Sequence, residues 1–292
     1  MAFITCFGEA SMDFLSQPQA NEQSSEALPT TSAIANVAVA VATLGGSARF
    51  ISQLADDAVS EQILTALAQR EVDTSLVQKQ ADKQTTLALT VQDIKDQWFI
   101  NSAVFHFSSN TLTEPSMAET TLTAISKARK QGNLVTFDVN LQPHLWPNGK
   151  VDQAVIERCF ASVDMVKLSQ QELELLSPEG EIAFVKSVVA QGVSFVVITD
   201  ETNAIKVIAK GIYSEVTPPT VEVVDATAAG DAFMGALLFA LVEQGDSKKT
   251  MADQQKLEQL TLFASRCGAH AVTKPGAFDA MPSLDDIAQA VD

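Results

Sequence analysis

Short apolar runs alternate with longer stretches of mixed polarity along this chain. Residues 3–8, Phe-Ile-Thr-Cys-Phe-Gly, form the first run and predict a buried strand. Similar runs predict strands at 48–52, 103–109, 134–138 and 195–199. Residues 85–90 (Thr-Thr-Leu-Ala-Leu-Thr) and 98–100 (Trp-Phe-Ile) also have strand character. Helices are expected at 61–69, at 114–130 with a stop near Gly132, at 257–273, and at 284–291. Residues 31–46 are ambiguous. Their Ala-rich run ending in Gly45-Gly46 suits a tightly packed helix, while the valines suit a strand equally well. Strand and helix signals alternate from end to end, which argues for a doubly wound α/β sheet.

A length of 292 residues fits two average domains or one large α/β domain. No apolar run is long enough for a membrane helix, and no basic stretch precedes the apolar residues near Met1 as a signal peptide would require. Cys6, Cys159 and Cys267 lie far apart and form no CxxC pair, which suits reduced thiols in a cytoplasm. Three dispersed histidines, His106, His144 and His270, argue against a zinc site. The net charge of −17 argues against nucleic acid and anionic membranes as partners. It also means that a nucleotide would need local help from Mg²⁺ and backbone dipoles.

One stretch carries the candidate chemistry. Val223-Val224 is apolar, the chain turns at Asp225, and four small residues, Ala226 to Ala229, lead through Gly230 into an Ala/Leu/Phe-rich helix. Unpaired backbone N–H groups and a positive dipole mark such a helix start, and small side chains let an anion approach. Asp231 would repel that anion. It makes sense as a base that takes a proton from an attacking hydroxyl. The same residues also fit a plain helix start with Asp231 in the first turn.

Asp225-Ala226-Thr227-Ala228-Ala229-Gly230-Asp231-Ala232-Phe233 closely resembles the C-terminal signature of the PfkB (ribokinase-like) carbohydrate kinases, D-T-x-G-A-G-D-x-F. The resemblance implies Asp231 as catalytic base, and the backbone of Ala228, Ala229 and Gly230 as an anion hole for the transferring phosphate. Ala228 stands where the family's first glycine is usual. Thr227 and Gly230 would adjoin the nucleotide.

Weaker motifs follow in the family's order. Gly8-Glu9-Ala10-Ser11-Met12-Asp13 resembles the opening of bacterial fructokinases, G-E-x-x-x-D, and implies that Asp13 binds sugar hydroxyls. Asn36 and Ala38 match the N-terminal signature G-G-x-x-x-N-x-A, with Thr31 and Ser32 replacing its glycines, so Asn36 is a second sugar ligand by resemblance. Val72-Asp73-Thr74 matches part of G-V-D-T, with Glu71 for its glycine. Asp138-Val139-Asn140-Leu141-Gln142 resembles D-x-N-x-R, but neutral Gln142 cannot take over the charge of the Arg. Asp164 to Glu172 follows D-x-x-K-x-S-x-x-E, which implies that Glu172 organises Mg²⁺ and phosphate. Ser169 and Glu172 also have capping-box spacing. Thr199 opens the family's nucleotide turn, T-L-G-x-x-G, whose two glycines are here Glu201 and Ala204.

The resemblance implies a ribokinase-like fold: a mainly parallel sheet flanked by helices, with a small β-sheet lid from parts of 10–32 and 84–102. It implies ATP-dependent phosphorylation of a primary sugar hydroxyl, most like a fructokinase, with ATP, Mg²⁺ and a monovalent cation such as K⁺ as cofactors. It also implies a homodimer through the lid. Another acceptor, such as 2-keto-3-deoxygluconate or a riboside, remains open. So does a weakly catalytic sugar- or nucleotide-binding paralogue, favoured by the lost glycines and opposed by Asp231 and Gly230.

Overall fold

The computed structural model describes residues 2–10, 32–81 and 87–289. Asp13, Thr31 and most of the expected 10–32 lid segment lie outside them. In chain order the elements are β1 (Phe3–Phe7), α1 (Ala33–Thr43), β2 (Ala48–Ile51), β3 (Gln53–Ala55), α2 (Ala58–Ala68) and β4 (Gln78–Gln80). Then come β5 (Ser102–Ser108), α3 (Pro115–Lys130), β6 (Leu134–Asp138), α4 (Gln153–Phe160), β7 (Met165–Ser169), α5 (Gln170–Leu176) and α6 (Glu181–Gln191). The chain closes with β8 (Phe195–Thr199), β9 (Ile205–Ala209), β10 (Ile212–Val216), α7 (Ala229–Glu243), α8 (Ser247–Thr250), α9 (Gln254–Ala271) and α10 (Leu284–Gln289).

Eight strands form one sheet in the order β10-β9-β8-β7-β6-β5-β1-β2. The six from β8 to β2 are parallel, and β9 and β10 close one edge antiparallel. From β1 the chain moves to β2 on one side. From β5 it moves to β6 on the other. The order therefore reverses between β1 and β5, and the crevice at their carboxyl ends is where such sheets take ligands.

Alternating side chains feed two apolar layers. Ile4, Cys6, Val104, Met165 and Phe195 join α1, α7 and α9 on one face. Phe7, Phe105, Phe107, Phe137, Val166 and Val196 join α3, α4 and α6 on the other. Near-continuous apolar strands are the consequence of burial on both faces.

Tertiary packing decides the ambiguous run. Ala33 to Ala42 is buried on every side and helical, with Ser32 capping its start. A helical stretch that is apolar all round except for Asn36 is stable when it is enclosed. Two glycines make the enclosure close. An added Cβ at Gly8 would lie 2.7 Å from Ile34, and one at Gly235 would lie 2.5 Å from the Cβ of Ala40. Both distances are impossible for real side chains, so β1 and α7 can approach α1 only with glycine there.

Two expected strands are corrected. Trp98 and Phe99 belong to a short 3₁₀ turn, Asp96–Phe99, and are buried in the second apolar layer. Of residues 85–90, the described part, 87–90, forms no strand. A small separate sheet does exist, built by β3 and β4 in parallel. The aromatic and β-branched residues at 87–100 are spent on packing, because Leu89, Trp98 and Phe99 fill the core rather than a ladder.

Candidate active site

Parallel pairing sends the carboxyl ends of β1, β5, β6, β7 and β8 to one edge of the sheet. Glu9, Asn110, Asp138, Ser169 and Thr199 stand at or just beyond those ends. The start of α7 meets the same edge. A Cβ added at Gly230 would lie 3.2 Å from the Lys167 ammonium of β7.

Ala228 is the residue before the first turn of α7, and no side chain caps it. Among the described residues, nothing accepts from the amides of Ala228, Gly230 or Asp231. Free amides, an oriented dipole and an adjacent ammonium together make an anion site. The preceding loop is held by Asp225. Its carboxylate accepts from Thr227 N at 3.0 Å, Thr227 Oγ1 at 2.5 Å and Gly276 N at 3.1 Å. Those bonds hold the Asp225 carboxyl below its usual range. Thr227 therefore faces Asp225, and Thr199 lies in register with Ser169 on the neighbouring strand.

Asp231 is buried, and its Oδ2 accepts from Asn36 Nδ2 at 2.7 Å. Burial pushes its carboxyl up to about 7. Asn36 and Lys167 oppose the rise, and the carboxylates of Asp138 and Glu9 add to it. Asp231 is thus poised where a base works best near neutral pH.

Beside it, Lys167 Nζ donates to both oxygens of Asp138 at 3.0 and 3.1 Å. Burial alone would lower the ammonium, but Asp138, Glu172 and Asp231 hold it above its ordinary value. Burial raises the Asp138 carboxyl against the pull of Lys167. Glu172 accepts from Leu141 N at 2.5 Å and Ser169 N at 2.6 Å, while Ser169 caps α5 in return. The capping box is real, and it also locks Glu172 beside the loop after β6.

The structure therefore brings together Asn36, Asp231, Gly230, Ala229, Ala228 and Glu172. The sequence of the pfkB family carbohydrate kinases matches residues 1–284. The chain belongs to that family. Among curated relatives of the family, fructokinase-1 of Oryza sativa subsp. japonica is 32% identical over 85% of this chain and 84% of its own length. The fructokinase of Xylella fastidiosa with bound ATP superposes with a TM-score of 0.89 at 29% identity, covering 99% of this chain and 98% of that one. The fructokinase of Vibrio cholerae O395, solved with fructose, ADP and calcium ion, superposes with a TM-score of 0.87 at 25% identity, covering 100% and 99%.

Three residues of this carbohydrate kinase site stand inside the matched motifs without a role having been assigned to them: Lys167, Asp138 and Glu9. Lys167 carried a usable signal, since a lone cation between Val166 and Leu168 in a buried strand needs a partner. The family's glycine positions at 71 and 201 are also explained. Glu71 and Glu201 have φ of 61° and 47°, so the backbone keeps the left-handed turn that glycine would favour. Among the described residues no cluster of three His, Cys, Asp or Glu side chains forms a metal site, and no helix is long and apolar enough to cross a membrane.

Proposed function

We propose that this carbohydrate kinase is an ATP-dependent fructokinase, which converts fructose to fructose 6-phosphate. The observation that carries the reading is Asp231. A buried carboxyl with raised proton affinity stands one residue from free amides at a helix start, with a lysine ammonium alongside.

In this reading Asp231 accepts the proton of the primary sugar hydroxyl. The hydroxyl oxygen bonds to the γ-phosphorus as the bond to the bridging oxygen of ADP breaks. The amides of Ala228 and Gly230 hold the equatorial oxygens as charge develops, and Lys167 adds a positive charge; the Ala229 amide, expected in the same role, donates instead to the Ala226 carbonyl at 3.3 Å. Asn36 orients Asp231 and turns its own carbonyl oxygen toward the sugar. Asp13 is proposed as a sugar ligand from its motif alone. Thr199 and Thr227 would adjoin the nucleotide.

The residues present fit Mg²⁺ held mainly by phosphates. That ion ordinarily needs only one or two carboxylates and keeps several waters. Glu172 is fixed by two backbone amides, yet each of its oxygens retains a lone pair for a metal-bound water. Bound Mg²⁺ would neutralise phosphate charge. The reading further includes a K⁺-type cation, a lid from parts of 10–32 and 84–102 with dimerisation through it, and a cytoplasmic location.

A coupled assay of ADP release with Mg-ATP tests the reading against fructose, glucose, ribose, 2-keto-3-deoxygluconate and an aminoimidazole riboside. Turnover of fructose above the others is expected. Preference for another acceptor would reassign the substrate, and binding without ADP formation would make the chain a non-catalytic paralogue.

A further inference from the structure

The switch point holds a second pair of asparagine and carboxylate. Asn110 Nδ2 donates to Glu9 Oε1 at 2.8 Å, the same form of contact as Asn36 with Asp231. A carboxylate only accepts, so each pair turns its amide NH₂ inward and leaves the amide oxygen for something else. The atoms left over are Glu9 Oε2, Asn110 Oδ1 and Asn36 Oδ1. All are inaccessible to solvent and have no partner among the described residues. Ser108 Oγ, at the end of β5, is in the same condition.

Unpaired buried acceptors are costly, and natural folds keep few of them without a reason. Twelve unpaired buried side-chain atoms occur among the described residues, and these four lie near the place where the strand order reverses. Glu9 follows β1 and Asn110 follows β5, its neighbour in the sheet. Asn36, the partner of Asp231, lies one turn along α1 from Ser32, the residue that caps that helix. The placement of Glu9 is secured separately, because Ser32 Oγ donates to its backbone carbonyl.

We infer that Glu9 and Asn110 are specificity-determining residues that read the hydroxyl groups of the phosphoryl acceptor. The inference rests on the kinase reading above and deepens it. Three acceptor atoms and one hydroxyl call for a ligand rich in O–H donors. A carboxylate on that ligand would meet Glu9 as a like charge. The acceptor class is therefore a neutral polyol, and sugar acids are rejected.

Glu9→Gln tests this with little change of shape. Its carbonyl can still accept from Asn110, but an NH₂ then stands where Oε2 was. Asn110→Ser serves as the second variant. Binding is followed by calorimetry with fructose, its deoxy analogues and 2-keto-3-deoxygluconate, and KM and kcat by ADP release. Wild-type protein should bind fructose and reject the sugar acid. Each variant should raise Kd and KM for fructose roughly 10- to 100-fold with a much smaller change in kcat. One deoxy analogue that wild type rejects should lose nothing further in Glu9→Gln. Fructose binding unchanged in both variants, identical deoxy penalties in variant and wild type, or no binding of any neutral sugar by wild type would overturn the inference. Fructose binding that depends on Glu9 but yields no ADP would uphold it while removing the kinase reading. Normal fructose turnover in both variants would do the reverse.

Discussion

Asn36 on α1 holds Asp231 on α7 through a 2.7 Å hydrogen bond between residues 195 positions apart. The bond both aims the carboxylate and lowers its proton affinity against the effect of burial. Asn36→Ala should therefore do two things. It should cut kcat/KM by roughly 100-fold or more, as loss of a positioning contact does. It should also move the acidic limb of the pH–rate profile upward. A steady-state pH profile measures both, and an unmoved limb would show that Asn36 does not act on Asp231.

The wild-type profile follows from Asp231 itself. A base must be ionised, so kcat/KM should rise through a limb centred near 7. Asp231→Asn should lower turnover by roughly 10²- to 10⁴-fold and abolish the limb. Stability runs the other way. Between the ordinary carboxylate range and about 7, the folded chain binds a proton that the unfolded chain does not. Stability is therefore lost as pH rises through that window. Asp231→Asn should be more stable than wild type by about 2–4 kcal/mol at pH 8 and by little at pH 4. Thermal melts at the two pH values check the sign.

Gly235 sets the distance between the two helices of the site. An alanine there would meet Ala40 Cβ at 2.5 Å and the Val37 carbonyl at 2.9 Å. Gly235→Ala should destabilise by about 1–3 kcal/mol, since a tightly packed core yields poorly to an added methyl. Because Gly235 stands one turn beyond Asp231, activity should fall as well. Denaturant melts with parallel kinetics would separate the two effects, and normal stability would show that the helices can part freely.

Lys167 and Asp138 are a buried ion pair next to Gly230. Lys167→Met leaves Asp138 buried without its partner and should cost about 3–5 kcal/mol. Adding Asp138→Leu should recover most of that stability, since apolar replacements of buried pairs are tolerated. Turnover should stay low in the double variant, because the charge beside the anion site is gone. Recovery of turnover together with stability would reduce Lys167 to a structural role.

Glu71 and Glu201 occupy left-handed backbone where glycine is easier. Glu71→Gly and Glu201→Gly should each stabilise by about 1 kcal/mol or somewhat less, after the greater freedom of glycine in the unfolded chain is counted. Calorimetric Tm values decide it, and a lower Tm in both would mean that the side chains contribute more than the backbone strain costs.

Much of this was local and therefore readable along the chain. Strands such as β6 and β8 announce themselves because burial on both sheet faces demands unbroken apolar runs. The start of α7 shows in its small residues, and the Ser169–Glu172 capping box shows in a spacing of three. Trp98 and Phe99 misled for a matching reason. Aromatic residues suit a strand or a core equally, and only their neighbours choose between them. The chain's own residues were enough for the α/β class and for the small-residue helix start that carries Asp231. They could not say which polar side chains would meet. Asn36 reaches Asp231, Lys167 reaches Asp138, and Asn110 reaches Glu9 over separations of 195, 29 and 101 residues. Those meetings follow from strand order, sheet register and the close approach at Gly235. Hydrogen bonds at such separations are properties of packing, and only the folded sheet with its helices brings the partners together.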